Sequence, residues 1–136
     1  MAWPDLHTAV YTLLTGTAAI TAIVDRKIYA EQAPAGTVLP YIIFYEAVGL
    51  SPNVCPRETL DSVYRVESRR KVRGAGATIE TLHSAVYSAF HKQTLAITGW
   101  YNYRTVCERQ QKFTDTLSGE QIYRYIWDIR IQASEN

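Results

Sequence analysis

Residues 121–132 read Gln-Ile-Tyr-Arg-Tyr-Ile-Trp-Asp-Ile-Arg-Ile-Gln. Tyr123, Tyr125, Trp127, Ile129 and Ile131 alternate with Ile122, Arg124, Ile126, Asp128, Arg130 and Gln132. The first set is apolar and continuous; the second is mostly charged. Period-two alternation rich in β-branched and aromatic residues, with no Gly or Pro, predicts a long β-strand. At about 3.3 Å per residue it spans roughly 40 Å, about twice a common strand. A strand of that length outruns the domain that supports it. What covers the overhang is the functional question posed by this chain.

The rest of the chain supplies the support. Trp3-Pro4-Asp5 opens a helix, with Pro4 in the first turn, where a missing N–H costs nothing. Leu6, Ala9, Val10, Leu13 and Leu14 fall on one face of it, and Gly16 stops it. Thr17 then caps a second short helix carrying Ile20, Ile23 and Val24. Ile28-Tyr29-Ala30 reads as a short strand or extended link, and Ala33-Pro34-Ala35-Gly36 as a turn-rich loop. Leu39–Val48 is a nearly continuous apolar run, expected as a strand covered on both faces with Pro40 at its start.

Gly49–Thr59, with Pro52, Asn53 and Pro56, is expected as an exposed loop or hairpin tip. Leu60–Lys71 resumes a strand, with Tyr64, Val66 and Ser68 on one face and Val63, Arg65, Glu67 and Arg69 on the other. Gly74-Ala75-Gly76 breaks it. Ile79, Leu82, Val86 and Phe90 then repeat at helical steps, predicting an amphipathic helix over about Ala77–Lys92, roughly 24 Å long. Ile97–Gln111 is a further strand region in which Tyr101, Tyr103 and Thr105 alternate with Trp100, Asn102 and Arg104. Thr114–Glu120, with Ser118-Gly119, is the expected turn into the final strand. The order is helix, strand, strand, helix, strand, strand. It predicts one α+β domain over residues 1–136: a mainly antiparallel β-sheet with a long C-terminal β-hairpin and two to three helices on one face.

A chain of 136 residues buries about two-thirds of its unfolded surface and needs no staples. Formal charge is +1, so bulk electrostatics argue for neither nucleic acid nor an anionic membrane as a partner. No apolar run approaches the ~20 residues of a spanning helix, and the start lacks the pattern of a signal peptide. Cys55 and Cys107 form no CxxC pair and read as reduced thiols in cytoplasm-like conditions. Ten tyrosines are the compositional oddity; such side chains suit surfaces that are part apolar and part hydrogen-bonding, interfaces included.

Catalysis needs convergent polar groups. His7, His83 and His91 have no acidic partner at metal-pair spacing and read as surface or boundary residues. HExxH, P-loop and GxSxG motifs are missing from the sequence. Gly74-Ala75-Gly76 lacks the third glycine of a phosphate turn, and Cys107 reads as a packed strand thiol. Nothing points to a cofactor or metal. Arg65, Arg69, Arg70, Lys71 and Arg73 form the one basic cluster, but Glu67, Glu108 and Asp128 dilute it, which argues against sequence-specific nucleic-acid binding.

Leu39-Pro40-Tyr41-Ile42-Ile43-Phe44 and Tyr123–Ile131 carry a resemblance to a known family. So do the helix ending in Leu13-Leu14, the Ala18–Val24 segment with Arg26-Lys27-Ile28-Tyr29 after it, and Ala33-Pro34-Ala35-Gly36. In nearly its whole length the chain resembles the small tail completion, or tail terminator, proteins of long-tailed bacteriophages and related gene-transfer particles. The resemblance implies a non-enzymatic virion protein forming a ring, expected as a hexamer. That ring sits on the last ring of the tail tube protein, stops tail growth, offers a surface to the head–tail connector protein and lets double-stranded DNA pass without reading it. Candidate contacts between copies are Tyr101, Tyr103, Tyr123, Tyr125, Pro52 and Asn53; candidate channel or neighbouring-ring contacts are Arg65, Arg69, Arg70 and Lys71. The alternative function is a small stand-alone module that binds RNA or a peptide on its sheet face.

Overall fold

The computed structural model describes residues 5–50, 53–54, 57–73, 78–117 and 119–135, of which residues 50, 53, 54, 57 and 58 by their backbone alone. Trp3 and Pro4, Cys55, Pro52, Pro56 and the Gly74-Ala75-Gly76 breaker lie outside the described residues. The elements are α1 (Leu6–Gly16), α2 (Ala18–Val24), β1 (Ile28–Ala30), β2 (Tyr41–Leu50), β3 (Asn53–Val54), β4 (Arg57–Lys71), α3 (Ile79–Phe90), β5 (Ala96–Ile97), β6 (Trp100–Leu117) and β7 (Glu120–Glu135). The main sheet runs β1-β2-β4-β7-β6-β5, and β3 pairs with β4. Among the described residues only the β1–β2 pair is parallel; the other pairs are antiparallel. The α+β expectation holds.

α1 and α3 begin where a polar side chain takes up a free N–H; Thr17 holds the N-cap position of α2, but its hydroxyl donates back to Leu13 O at 2.7 Å instead of capping. Asp5 accepts from Thr8 N at 3.0 Å, and Thr78 accepts from Thr81 N at 3.2 Å. All three helices lay their apolar stripe on one face of the sheet. Leu6, Val10 and Leu14 of α1, Ile20 and Val24 of α2, and Leu82, Val86 and Phe90 of α3 meet Ile42 and Phe44, Tyr64 and Val66, and Ile129 and Ile131. Each of those side chains is at most 2% exposed, so at about 25 cal/mol per Å² this face supplies most of the apolar burial. The final strand sits at the centre of the sheet, between β4 and β6, which explains its dense pattern of apolar residues.

Several expectations change. Gly49–Thr59 is no simple loop: β2 runs to Leu50, and Asn53 and Val54 pair with Glu58 and Arg57. Thr114–Glu120 is strand except at its tip, because the ladder continues until Leu117 faces Glu120. Gly119, at φ +80°, supplies the left-handed turn such a tight reversal needs; Ser118 lies outside the described residues. Tyr41–Phe44 is covered on both faces as expected, but Ala47–Gly49 is exposed.

The regular alternation expected in β6 also fails. Asn102 faces Ala133 and Arg104 faces Gln132, leaving Tyr103 unpaired; Cys107 faces Ile129 and Arg109 faces Asp128, leaving Glu108 unpaired. These are β-bulges. They put Trp100, Asn102, Thr105 and Cys107 on the core side together. Thr105 therefore shares a face with Asn102, and donates to its Oδ1 at 2.8 Å, rather than with Tyr101. Bulged strands bend. Leu117 at the hairpin tip lines one cleft with Tyr41, Ile43, Arg69 and the 31–37 loop, so the sheet curls toward the face that bears no helix.

Candidate assembly surfaces

The face without helices is a ladder of opposite charges. Pairing across the sheet aligns Tyr45, Arg65, Asp128 and Arg109 in one row, and Tyr41, Arg69, Arg124 and Phe113 in another. Arg65 Nε donates to Asp128 at 3.0 Å, and Arg130 Nε donates to Asp61 at 2.8 Å. Arg124 donates to Glu67 through Nη2 at 2.9 Å and to Asp115 through Nη1 at 3.0 Å. Arg69 bonds the other Glu67 oxygen and reaches the Tyr41 hydroxyl at 3.0 Å. Lys71 pairs with Glu120 at 3.3 Å.

Glu67 is 3% exposed and Asp128 7%, unusual for carboxylates on a face with no covering layer. The curl of the sheet and the arginines laid over them account for it. The hydrogen bonds from Arg130 hold the Asp61 carboxyl below its usual range. Asp115 is lowered as well, by the Thr116 N–H and then by Arg124. The arrangement neutralises charge locally, within a row at Arg65–Asp128 and between neighbouring rows at Glu67.

The helix side has an uncovered end. α3, at about 18 Å, is far shorter than β6 and β7. Its first turns end over Trp127 and Tyr125. His83 is stacked on Trp127, meets the edge of the Tyr125 ring at 5.3 Å, and donates from Nε2 to Gln110 Oε1 at 2.9 Å. Trp127 Nε1 donates to the His83 carbonyl at 2.9 Å. Past this cluster α3 contributes only Glu80, which pairs with Lys112 at 3.2 Å. Lys112, Phe113, Thr114, Asp115, Thr116 and Leu117 are all exposed, with Phe113 44% and Leu117 39%. The predicted overhang is therefore the last third of β6 with only Glu120 and Gln121 of β7; from Ile122, 2% exposed, the final strand is flanked by β4.

The sequence-predicted residues do not form one patch. Tyr101 and Tyr103 are exposed, 57% and 49%, near the end of the sheet where Tyr101 faces Ser134. Tyr123 and Tyr125 are half-buried on the helix side at the other end, their rings 5.6 Å apart. Asn53 sits beside the β3–β4 reversal, and Pro52 lies outside the described residues. The basic cluster is divided as well. Arg65, Arg69 and Lys71 belong to the charge ladder, whereas Arg70 faces Tyr123 on the helix side, is 8% exposed, and donates to the Lys71 carbonyl at 2.8 Å.

Among the described residues no catalytic geometry emerges from the titratable groups. His83 is 3% exposed, a correction to its expected surface or boundary place; it lies in the seam between α3 and Trp127, and burial lowers its pKa. His7 Nδ1 is 2.8 Å from the buried Tyr64 hydroxyl, a pairing of distant residues that spacing alone does not reveal. Burial pushes the Cys107 thiol up to about 12, so it is a packed, unreactive side chain. Among the described residues no cluster of His, Cys, Asp or Glu has the makings of a metal site.

The sequence profile of a family described as Tail completion protein gp17 matches residues 8–132. Among curated proteins none matches the chain. A chain in a solved structure described as "Virion of native gene transfer agent (GTA) particle" shares the fold with TM-score 0.74. It is 15% identical, over 95% of this chain and 94% of that one.

Proposed function

The chain belongs to the Tail completion protein gp17 family, and from that premise we propose that it is a structural virion protein closing the head-proximal end of a phage-type tail tube. In this reading six copies form a ring that ends tube polymerisation and presents a docking surface to the head connector. The family match over 125 of 136 residues carries the proposal.

The geometry supports the reading in two ways. A ring of identical copies needs two different patches on each copy that fit one another. The exposed Tyr101 and Tyr103 at one end of the sheet, and the half-buried Tyr123 and Tyr125 beside the exposed 112–117 stretch of β6 at the other, offer two such patches, with Pro52 and Asn53 a third candidate contact. The charge ladder suits the wall of a conduit. A polyanion passing Arg65, Arg69 and Lys71 meets cations already engaged by Asp128, Glu67 and Glu120, so it gains little by stopping.

The experiment is to make particles without this protein and image them by negative stain. Tails of uncontrolled length, or finished tails that fail to join heads, are expected. Particles joined normally with tails of uniform length overturn the assignment.

A further inference from the structure

Among the described residues the sheet ends in two unlike bare edges, and each is bare over only part of its length. On β6, the start of the outer edge is occupied. β5 pairs with Trp100 and Tyr101, Lys92 N donates to Thr105 O at 2.8 Å, and Cys107 N donates to His91 Nδ1 at 3.2 Å. From 109 to 117 no described residue pairs with that edge. On β2, β1 pairs with Ile42, Ile43 and Phe44, and Glu31 N donates to Phe44 O at 2.9 Å. From 45 to 50 no described residue pairs with it either. Neither bare stretch contains proline, so both present main-chain donors and acceptors able to take a further strand.

Resting on the ring reading above, we propose that the bare edge of β6 in one copy pairs with the bare edge of β2 in the next, making the ring one continuous antiparallel sheet. The strand directions fit. β2, β4, β7 and β6 alternate, so β6 runs opposite to β2. When every copy points the same way, as cyclic symmetry requires, β6 meets the neighbouring β2 antiparallel.

The stagger fits too. Tyr45, Arg65, Asp128 and Arg109 share one level, and from it the two bare stretches extend in opposite directions along the sheet. Their centres are about six residues apart along the strands, ~20 Å at 3.3 Å per residue. Four strands at about 4.8 Å are ~19 Å wide. Joining the edges therefore tilts the strands by roughly 45°, at the upper end of the 35–45° found in closed barrels. With the helices on the other face, the charge ladder then faces the inside of the barrel. Pairing β6 with a second β6 would leave every β2 edge bare; pairing the unlike edges satisfies both.

The test places cysteines on the two edges, Val48→Cys and Thr114→Cys, in a chain carrying Cys55→Ser; Cys107 is buried and stays. Purified particles are treated with a flexible bis-maleimide. The double variant is expected to give covalent multimers up to the closed ring, and each single variant none. Multimers from Thr114→Cys alone would mean that like edges meet, and overturn the proposal. Intact joined particles that contain the double variant but give no cross-link would also overturn it, while leaving the tail assignment standing. Finding wild-type particles to contain none of the protein would instead remove the assignment itself. Hydrogen exchange on the unaltered protein decides the case in which the variant fails to enter particles. Amides in 45–50 and in 109–117 are expected to slow together, by more than about tenfold, between free protein and particle. Slowing of only one stretch would assign that edge to the tube or connector and sink the proposal.

Discussion

His83 lies flat on Trp127, with ring centroids 4.5 Å apart and planes inclined by 10°. Its Nε2 donates to Gln110, while Nδ1 is buried without a hydrogen-bond partner. A proton on Nδ1 would have no acceptor, and burial accordingly lowers the pKa of this histidine. The unfolded chain then binds a proton that the folded one resists. The stability gained is full above about pH 6.5 and is lost as pH falls through the folded value. The urea midpoint of the wild type is expected to drop between about pH 7.5 and pH 5 more than that of His83→Gln. Trp127 fluorescence, followed over the same range, should change in step. Equal pH profiles for the two proteins would refute the account.

Ile129 is fully buried between Tyr64 on β4 and Cys107 on β6, under the helices. Ile129→Ala leaves a cavity in this buried layer, and is expected to cost about 2–5 kcal/mol by denaturant unfolding. A loss below about 1 kcal/mol would mean that the core there is loosely packed.

The rungs of the charge ladder differ in burial, and their deletion should differ accordingly. Glu67 is nearly buried and shared by Arg69 and Arg124; Arg124→Met leaves it with one partner, at an expected cost of about 1–3 kcal/mol. Arg130 is 37% exposed, so Arg130→Met should leave the unfolding midpoint nearly unchanged. Equal effects from the two substitutions would contradict this ordering.

Gly119 turns the hairpin at φ +80°, with nothing within 4 Å of where a Cβ would sit. Gly119→Ala thus meets backbone strain without a clash and is expected to cost about 1–2 kcal/mol. Calorimetry would measure it, and an unchanged Tm would show that the tip does not need the left-handed conformation.

The strands and helices were legible where pattern and burial agree. Ile129, Ile131 and Trp127 alternate in sequence and lie on one face in space. Leu82, Val86 and Phe90 recur at helical steps and form one stripe. The hairpin's true length was not legible, because Lys112–Leu117 is exposed on both faces and carries no apolar rhythm; its strand form comes from pairing with β7. The basic cluster read as one patch although alternation along β4 already sets Arg70 on the face opposite Arg65 and Arg69; what the spacing hides is which carboxylate meets each arginine. Arg65–Asp128 joins residues 63 apart, and Arg124–Glu67 residues 57 apart. His83 misled for the same reason: its cover, Trp127, arrives 44 residues later.

Tyr103 and Glu108 are surplus to the ladder. Either residue can be excised without turning a single neighbouring side chain to the wrong side, since Asn102 and Thr105, or Cys107 and Gln110, then fall into plain alternation. What such a deletion removes is bend alone. The bend of β6 is thus written separately from its core, in two replaceable letters, and a lineage can open or tighten that arc while every packed residue keeps its place.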